Sequence, residues 1–475
     1  MQHYLLLTVS TLIIFYLSLL TWKRTKQVAF LLGYAVLYYW TLLGAWFIVF
    51  DDLTGQKGKE IGLHYYHFFD RLFPVHADNI YLVAIALYSG FIILVQLTVL
   101  FFLKKGVNRV DVNAERKPVF IHHGIIICCC LLTTIISFSL VWKEILTAAK
   151  FGQSVYVITR HQPGRFFTIH QLLNQVSIVA LYTGLITFIS GDKARFIKGS
   201  TDRKYLLFYI LAVILVEGFL LFLGNKREIL FGGIMGILFY IANVDHRINY
   251  KALALFLVIL MIPLFFNDGL RAYSPTFLTK YFDTTGLEYH PDMEIVYTEF
   301  SMKGAALTFL FSNEMFCAHF SMYGILSHHI PLTWGTSLVS LGASFAPHAL
   351  WPNRPATVYD YYVDQVHAAP GQGYTIHHAS AWYLNFGVLG VIAGAVILGW
   401  LWVTLYKKHL AVGVRPNGFL KLFFALGFAS FTAQLPSLVR SGPEGYKAMF
   451  FEALLLPVLI IYAASRWGNR NTEKK

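Results

Sequence analysis

The passage from His348 to Gly390 concentrates residue types that can do chemistry, and it runs directly into a long apolar segment. Arg354 is flanked by prolines, and two adjacent histidines, His377 and His378, come just before the apolar segment. An arginine offers a fixed, always charged fork of donors that matches phosphate oxygens. A histidine titrates near neutral pH and can accept a hydroxyl proton. Arg354, His377 and His378 are therefore candidate catalytic residues, although either histidine could instead cap the following helix or hydrogen-bond the loop.

Composition places these residues in a membrane protein. The chain has 475 residues, of which 56% are hydrophobic and only 13% charged. A soluble domain would carry roughly twice that charged fraction. We expect the basic residues behind the net charge of +13 to set the orientation in the membrane or to bind lipid headgroups. We expect no nucleic-acid partner. Cysteine spacing suggests no metal site, and no nucleotide or zinc motif occurs, so we expect neither metal nor cofactor.

Apolar runs of membrane-spanning length recur along the chain, which predicts an all-α polytopic membrane protein. The first run has no basic residue before it and no small-residue cleavage site after it, so we expect a retained helix, not a signal peptide. Hydropathy indicates about eleven spans. They are 4–22, 28–49, 80–103, 119–141, 169–189, 205–223, 229–244, 251–267, 381–405, 419–437 and 448–465.

These spans divide the chain into three parts. Residues 1–267 form an N-terminal bundle of about eight helices, and residues 381–475 form about three more helices with a tail. Residues 268–380 form one large late loop, which is too long to be a mere connector. Its apolar segment 304–330 contains Glu314 and His319 and is interpreted as interfacial or re-entrant helices.

The distribution of basic residues predicts the orientation. Alternate short loops are rich in lysine and arginine, beginning with Lys23, Arg24 and Lys26, so they face the cytoplasm. The N-terminus and the large loop then lie outside, and the C-terminus lies inside. The outer loop 50–79 agrees, because its acidic residues outnumber its basic ones.

Basic residues on the outer side run against this bias and therefore call for an explanation. Arginine and lysine side chains from separate loops could converge on one anion, such as a pyrophosphate that departs as a leaving group. The alternative is that they extend to the headgroups of the outer leaflet. Glu228 is expected to pair with a neighbouring cation. The outer cations are Arg160, Arg165, Lys226, Arg227, Arg271, Arg354 and Arg440.

Two further groups of outer residues carry open alternatives. Carboxylates could replace histidine as a base, and no spacing singles out a pair among them. Tyrosines and tryptophans could stack on sugar rings or form the interfacial aromatic belt. The carboxylates are Glu294, Glu299, Glu314, Asp360, Asp364 and Glu444, and the aromatic residues are Trp351, Tyr359, Tyr361, Tyr362, Tyr374 and Trp382.

The passage around Arg354 resembles bacterial oligosaccharide repeat-unit polymerases, the Wzy-type enzymes of O-antigen, capsule and exopolysaccharide synthesis. The resemblance rests on the proline-flanked Arg354, followed after a gap by Tyr383, by Asn385-Phe386-Gly387 and by Gly390 entering a helix. His377 ahead of the two glycines also resembles the histidine-to-glycine passage of O-antigen ligases. The match covers about 40 residues, and the two glycines are otherwise typical of close helix packing.

The resemblance implies a metal-independent glycosyltransferase with a GT-C-like helical bundle in the bacterial cytoplasmic (inner) membrane, acting on its outer face. The donor would be an oligosaccharide on polyprenyl pyrophosphate, and the acceptor another lipid-linked repeat unit. A flippase and a chain-length regulator of the same pathway are possible partners besides membrane lipids. The implied roles are pyrophosphate binding by Arg227, Arg271, Arg354 and Arg440, substrate guidance by Arg160 and Arg165, and acceptor activation by His377 or His378. Lys226 and Tyr383 complete the predicted substrate-binding set.

Two other functions remain open. An O-antigen ligase would use the same donor with a lipid A-core acceptor. A lipid-linked oligosaccharide flippase belongs to another class, in which polar groups lie near the bilayer midplane and the chain shows paired halves or broken helices. The central parts of the apolar segments carry almost no charge apart from Glu217, and no internal symmetry is evident, which favours the enzyme.

Overall fold

Helices dominate the structure because a chain in hydrocarbon must satisfy its backbone hydrogen bonds internally. The computed structural model describes the chain except for residues 55–76, 105–118, 162–163, 165, 194–195, 201, 244–272, 290–312, 346–350, 352–354, 368–374, 413–414, 416 and 473–475. Within these limits the prediction of an all-α polytopic membrane protein is confirmed.

Nine helices in the described part of the chain are long and apolar enough to cross a membrane. They are Gln2–Thr25, Val28–Phe50, Asn79–Leu103, His123–Leu140, Phe167–Ser190, Lys204–Phe222, His378–Leu410, Gly418–Val439 and Gly445–Arg466. The predicted segment 229–244 is a helix, Lys226–Asn243, but charged residues occupy its first turn and it is not among the nine. The predicted segment 251–267 lies outside the described residues.

The chain forms two compact units, each assembled from three separate stretches. The first unit comprises Met1–Arg109, Ala306–Lys407 and Gln434–Met449. The second comprises Val110–Ala305, Lys408–Ala433 and Phe450–Lys475.

The first unit carries most of the passage that the sequence singles out. A π-helical turn, Tyr39–Leu43, interrupts its second span. Its described helices are α1 (Gln2–Thr25), α2 (Val28–Tyr38), α3 (Gly44–Thr54), α4 (Asn79–Lys104), α11 (Asn313–Ser327), α12 (Thr336–Ala343), α13 (Val358–Gln365), most of α14 (His378–Leu410), the end of α15 (Gly418–Val439) and α16 (Gly445–Lys447).

An aromatic cluster joins α14 to the first spans of this unit. The ring of Trp402 lies 4.8 Å from that of Phe30 and 5.2 Å from that of Tyr34, measured between centroids. Gly33 makes room for it, because a Cβ atom there would lie 2.2 Å from the Trp402 ring. Offset and edge-on aromatic pairs of this kind add about 0.5–1.5 kcal/mol beyond the area they bury.

In the described part of the chain, the second unit contains the remaining α-helices and one small sheet. Strands β1 (Val119–Ile121) and β2 (Ile197–Gly199) pair in parallel, with Val119 opposite Ile197. The buried Asn243 side chain accepts hydrogen bonds from the backbone N–H groups of Phe196 and Ile197 at 3.0 and 3.3 Å. Its described α-helices are α5 (His123–Leu140), α6 (Trp142–Phe151), α7 (Val155–His161), α8 (Phe167–Ser190), α9 (Lys204–Phe222), α10 (Lys226–Asn243) and α17 (Leu456–Thr472), with the first part of α15.

Polar side chains tie the spans of the second unit together. Ser137 of α5 donates to the Asn174 side chain of α8 at 2.7 Å and contacts a ring nitrogen of His170 at the same distance. Glu217, the one charged residue noted inside an apolar segment, accepts a hydrogen bond from the Tyr182 hydroxyl at 2.5 Å. Polar groups buried in a bilayer need such hydrogen-bond partners. The contacts therefore explain why polar residues can occur inside these apolar spans.

Candidate functional site

His377 forms the N-cap of α14. Its Nδ1 accepts a hydrogen bond from the backbone N–H of Ala379 at 3.0 Å, which satisfies one of the free donors in the first helical turn. The other ring nitrogen, Nε2, must then carry the proton, and it donates to the Thr41 hydroxyl at 2.9 Å. The side chain is fully buried. The capping alternative raised by the sequence is therefore confirmed for this histidine.

The cap predicts a modest effect of mutation. His377→Ala should destabilise the protein by about 2 kcal/mol, because it removes both the helix cap and the partner of Thr41. His377→Asn keeps a short side-chain acceptor at the cap and should recover about half of that loss. Thermal inactivation of the protein in detergent measures both variants. An alanine variant as stable as the parent would contradict the capping role.

His378 is also buried and also has both ring nitrogens engaged. Its Nδ1 donates to the Ser441 carbonyl at 2.9 Å. Its Nε2 accepts from the Trp382 indole N–H at 3.0 Å and lies 3.2 Å from the Tyr446 hydroxyl. The ring thus joins the start of α14 to the turn that follows α15. It holds that turn in place and presents no free nitrogen to a substrate.

A third histidine, His319 of α11, belongs to the same group. The Tyr81 hydroxyl contacts its Nε2 at 2.6 Å, and its Nδ1 donates to the Thr41 carbonyl at 2.7 Å. The Tyr88 hydroxyl donates to the His319 carbonyl at 2.7 Å and lies 2.9 Å from the Ser380 hydroxyl. Burial lowers the pKa of His319 to about 4, so the ring is neutral at physiological pH. Sequence reasoning noted His319 only as a polar residue in an apolar segment.

Arg440 and Glu444 lie in the turn that His378 contacts. The Arg440 guanidinium is 5.1 Å from the centroid of the Trp40 ring. Trp40 directly precedes Thr41, the residue that forms a hydrogen bond with His377. Glu444 accepts a hydrogen bond from the backbone N–H of Val358 at 3.1 Å. Burial raises the pKa of the Glu444 carboxyl. We name this group, His319, His377, His378, Arg440 and Glu444, the entry cluster, since it surrounds the beginning of α14.

The Asn-Phe-Gly sequence marks a break in α14. Phe386 and Gly387 have non-helical backbone angles, and Gly387 has φ 60° and ψ −142°, a conformation that essentially only glycine adopts. Asn385 fixes the break, because its Oδ1 accepts from the Ser337 hydroxyl at 2.8 Å and its amide donates to the Ala381 carbonyl at 2.8 Å. The expected role in close packing applies to Gly390, where a Cβ would lie 1.9 Å from the Trp382 carbonyl oxygen.

Of the other predicted site residues, some lie in the part of the chain that the structure describes and some do not. Tyr383 is half-buried on α14. Arg227 belongs to the second unit and forms an ion pair with Glu228 at 3.0 Å, so the expected pairing of Glu228 is confirmed. Arg160 lies on α7 and Lys226 begins α10, but their side chains are not described. Arg165, Arg271 and Arg354 lie outside the described residues, and convergence of the outer cations on one anion stays a prediction.

Among the alternative bases, burial distinguishes Glu444 from the other described carboxylates. Asp360 forms a capping box with Thr357 at the start of α13, and Asp364 is exposed on the same helix. The Glu314 side chain is not described, and Glu294 and Glu299 lie outside the described residues. No group of three or more metal-binding side chains occurs in the described part of the chain.

Comparison with known proteins leaves the chain without a matched relative. No family model, no curated protein and no solved structure matches it. The chemistry of the entry cluster is therefore the main guide to function.

Proposed function

We propose that the protein is a membrane glycosyltransferase that polymerises polyprenyl-pyrophosphate-linked oligosaccharide repeat units into a surface polysaccharide. The observation that supports this best is the entry cluster. It joins a permanent cation, Arg440, and a partly buried carboxyl, Glu444, to the two histidines of the passage that resembles such polymerases. Glycosyl transfer from a pyrophosphate donor requires a cation for the leaving group and a base for the acceptor hydroxyl, and the turn after α15 carries one of each.

In the proposed reaction the acceptor hydroxyl attacks the anomeric carbon of the donor sugar. Its oxygen forms the new glycosidic bond, and its proton passes to the Glu444 carboxylate. The bond between the anomeric carbon and the pyrophosphate oxygen breaks, and its electron pair leaves with polyprenyl pyrophosphate. Arg440 stabilises the negative charge that develops on that leaving group.

The histidines serve this reaction as positioning residues. Both ring nitrogens of His377 and of His378 are engaged by groups of the protein, so neither is free to take a proton from the acceptor. His378 holds the turn carrying Arg440 and Glu444 through the Ser441 carbonyl. The base is thus assigned to Glu444, one of the carboxylates that the sequence left as alternatives.

The proposal places the enzyme in the bacterial cytoplasmic membrane, with the N-terminus outside, the C-terminus in the cytoplasm and the reaction on the outer face. The support for this orientation is the excess of lysine and arginine in alternate short loops. A flippase would supply the lipid-linked unit, and a chain-length regulator would limit the product.

Purified protein in nanodiscs, given only a lipid-linked repeat unit, tests the proposal. We expect a ladder of longer lipid-linked products by gel or mass spectrometry, formed without nucleotide or metal. Arg440→Ala should slow ladder formation by about 10²-fold, because a donor to the leaving group is lost. Arg415→Ala is the matched control. Arg415 also lies over an aromatic ring, 4.8 Å from the centroid of Phe424, but it belongs to the second unit. Equal loss in both variants, or no ladder with intact protein, would overturn the assignment.

The same experiment separates the polymerase from an O-antigen ligase. The ligase would use the same donor, so it could equally employ the cation and the base of the entry cluster. It would transfer the glycan to an added lipid A-core acceptor and would produce no ladder on the lipid carrier.

A flippase for lipid-linked oligosaccharides is the second candidate, and one observation favours it. The break in α14 at Phe386 and Gly387 interrupts a membrane span, as in transporters whose substrate sites lie at discontinuous helices. Vesicles containing the purified protein and a fluorescent lipid-linked oligosaccharide distinguish the two functions. Movement of the substrate between leaflets, with no glycosyl transfer to any acceptor, would establish the transporter.

A further inference from the structure

Two consecutive short helices of the first unit have opposite polarity. Helices α12 and α13 both contain eight residues. Helix α13 buries Val358 and Tyr362 and exposes Asp360 and Asp364. Apolar residues inside and carboxylates outside are typical of a helix whose outer face meets water.

Helix α12 shows the reverse arrangement. Its buried residues are Ser337, Ser340 and Ala343, whereas Leu338 and Val339 are 38% and 59% exposed. The inward hydroxyls are used, because Ser337 donates to Asn385 at 2.8 Å and Ser340 to the Pro355 carbonyl at 3.4 Å. A helix with hydroxyls inside and branched apolar side chains outside is unfavourable in water.

The residues that flank α12 extend its apolar face. Trp334 just before the helix is 75% exposed, and Phe345 just after it is 55% exposed. The Lys447 ammonium group lies 5.9 Å from the Phe345 ring. Exposed tryptophan and a nearby lysine are typical of side chains at the boundary between headgroups and hydrocarbon.

This face continues onto the outer surface of a membrane span. The backbone N–H of Thr333 donates to the Leu384 carbonyl at 2.7 Å, which holds the segment before α12 against the break in α14. Just beyond that break, Val388 and Leu389 are 53% and 74% exposed. Because α14 is long and apolar enough to cross the membrane, its exposed apolar residues are suited to acyl chains.

We infer that α12 is embedded in the bilayer with Leu338, Val339 and Phe345 against the acyl chains of membrane lipids, while α13 lies in water. The membrane boundary therefore passes between two helices that sequence reasoning assigned to a single extracytoplasmic loop. The occupant is lipid hydrocarbon because the face adjoins the exposed apolar surface of a spanning helix. Since Ser337 of α12 is bonded to the buried Asn385, a helix embedded in the bilayer would support the break in α14. The inference does not depend on the proposed reaction.

Cysteine accessibility in nanodiscs, where both membrane faces are open to solvent, tests this placement. In a chain whose native cysteines (Cys128, Cys129, Cys130 and Cys317) are alanine, we compare Val339→Cys with the matched control Asp364→Cys on α13. A charged maleimide should label position 339 about tenfold more slowly than position 364, and denaturation should equalise the two rates. Equal labelling rates in nanodiscs would place α12 in water and overturn the inference.

A second measurement identifies what covers the face. An environment-sensitive fluorophore attached at position 339 before reconstitution should be quenched by lipids that carry a nitroxide on the acyl chain, and one at position 364 should not. Protection from the maleimide without such quenching would mean that protein covers the face, which also overturns the inference. If the cysteine-free chain does not fold, brominated lipids replace the label. The parent should then lose more tryptophan fluorescence than Trp334→Phe, and equal losses would count against the placement.

Discussion

Replacing Glu444 by glutamine is expected to slow glycosyl transfer by about 10³-fold while the protein stays folded. Glutamine has nearly the same shape and still offers an oxygen to the backbone N–H of Val358, which Glu444 contacts at 3.1 Å. It cannot accept the proton of an acceptor hydroxyl. Asp364→Asn is the matched control, because it removes a carboxylate from the exposed face of α13. Ladder formation at saturating substrate measures both variants.

The pH dependence of the same variants gives an independent check. Burial raises the pKa of Glu444 above its ordinary value of 4.5, so a larger fraction of this carboxyl is protonated in mildly acidic solution. A base acts only when ionised, and the rate should therefore rise with pH through this raised pKa. The acidic limb of the profile should disappear in Glu444→Gln. A variant that keeps the parent's rate and acidic limb would remove Glu444 from the reaction.

The contribution of Glu444 to stability should fall with rising pH, whereas its contribution to the reaction rate should rise. A carboxyl whose pKa is raised in the folded state binds more protons there than in the unfolded state. Its contribution to the free energy of unfolding is therefore greatest below the unfolded pKa and is lost as pH rises through the folded pKa. At neutral pH the glutamine variant should be at least as stable as the parent. Lower activity with undiminished stability would separate a catalytic role from a structural one.

The spans could be predicted from the sequence because the bilayer leaves few options. Apolar runs of spanning length must be helical, and nine of the segments indicated by hydropathy are such helices in the described part of the chain. The break inside α14 could not be predicted. Gly387 reads as a packing glycine, and only its backbone angles show that it interrupts the helix. The polarity of α12 was equally hidden, because its sequence does not show which face meets the protein.

The site was harder to predict, because its contacts join residues far apart in the chain. His377 and Thr41 are separated by 336 positions, and no local pattern indicates that they bond. The sequence names both histidines and Arg440 but treats Glu444 as one carboxylate among several. Burial distinguishes Glu444 from exposed Asp364, and burial depends on the fold. Nothing in the sequence indicates that Tyr81 and Tyr88 contact this group, since a tyrosine in an apolar run is typical of ordinary packing.

The largest effect on folding is expected at Gly390. A Cβ atom there would lie 1.9 Å from the carbonyl oxygen and 2.8 Å from the carbonyl carbon of Trp382. Both are backbone atoms, so a rotamer change cannot relieve the clash, and the two parts of α14 would have to separate at the break. We expect Gly390→Ala to cost more than about 4 kcal/mol, which is enough to unfold many proteins.

Gly90→Ala is the matched control, because Gly90 lies on a spanning helix of the same unit and a Cβ there meets nothing within 4 Å. It should leave the protein unchanged or stabilise it by up to about 1 kcal/mol, since alanine favours helix more than glycine does. The yield of monodisperse protein after purification and its midpoint of thermal inactivation measure both. If Gly390→Ala and Gly90→Ala give the same yield and the same midpoint of thermal inactivation, the Trp382 carbonyl does not lie as close to Gly390 as described. The break in α14, against which the segment before α12 is held, would then have a different geometry.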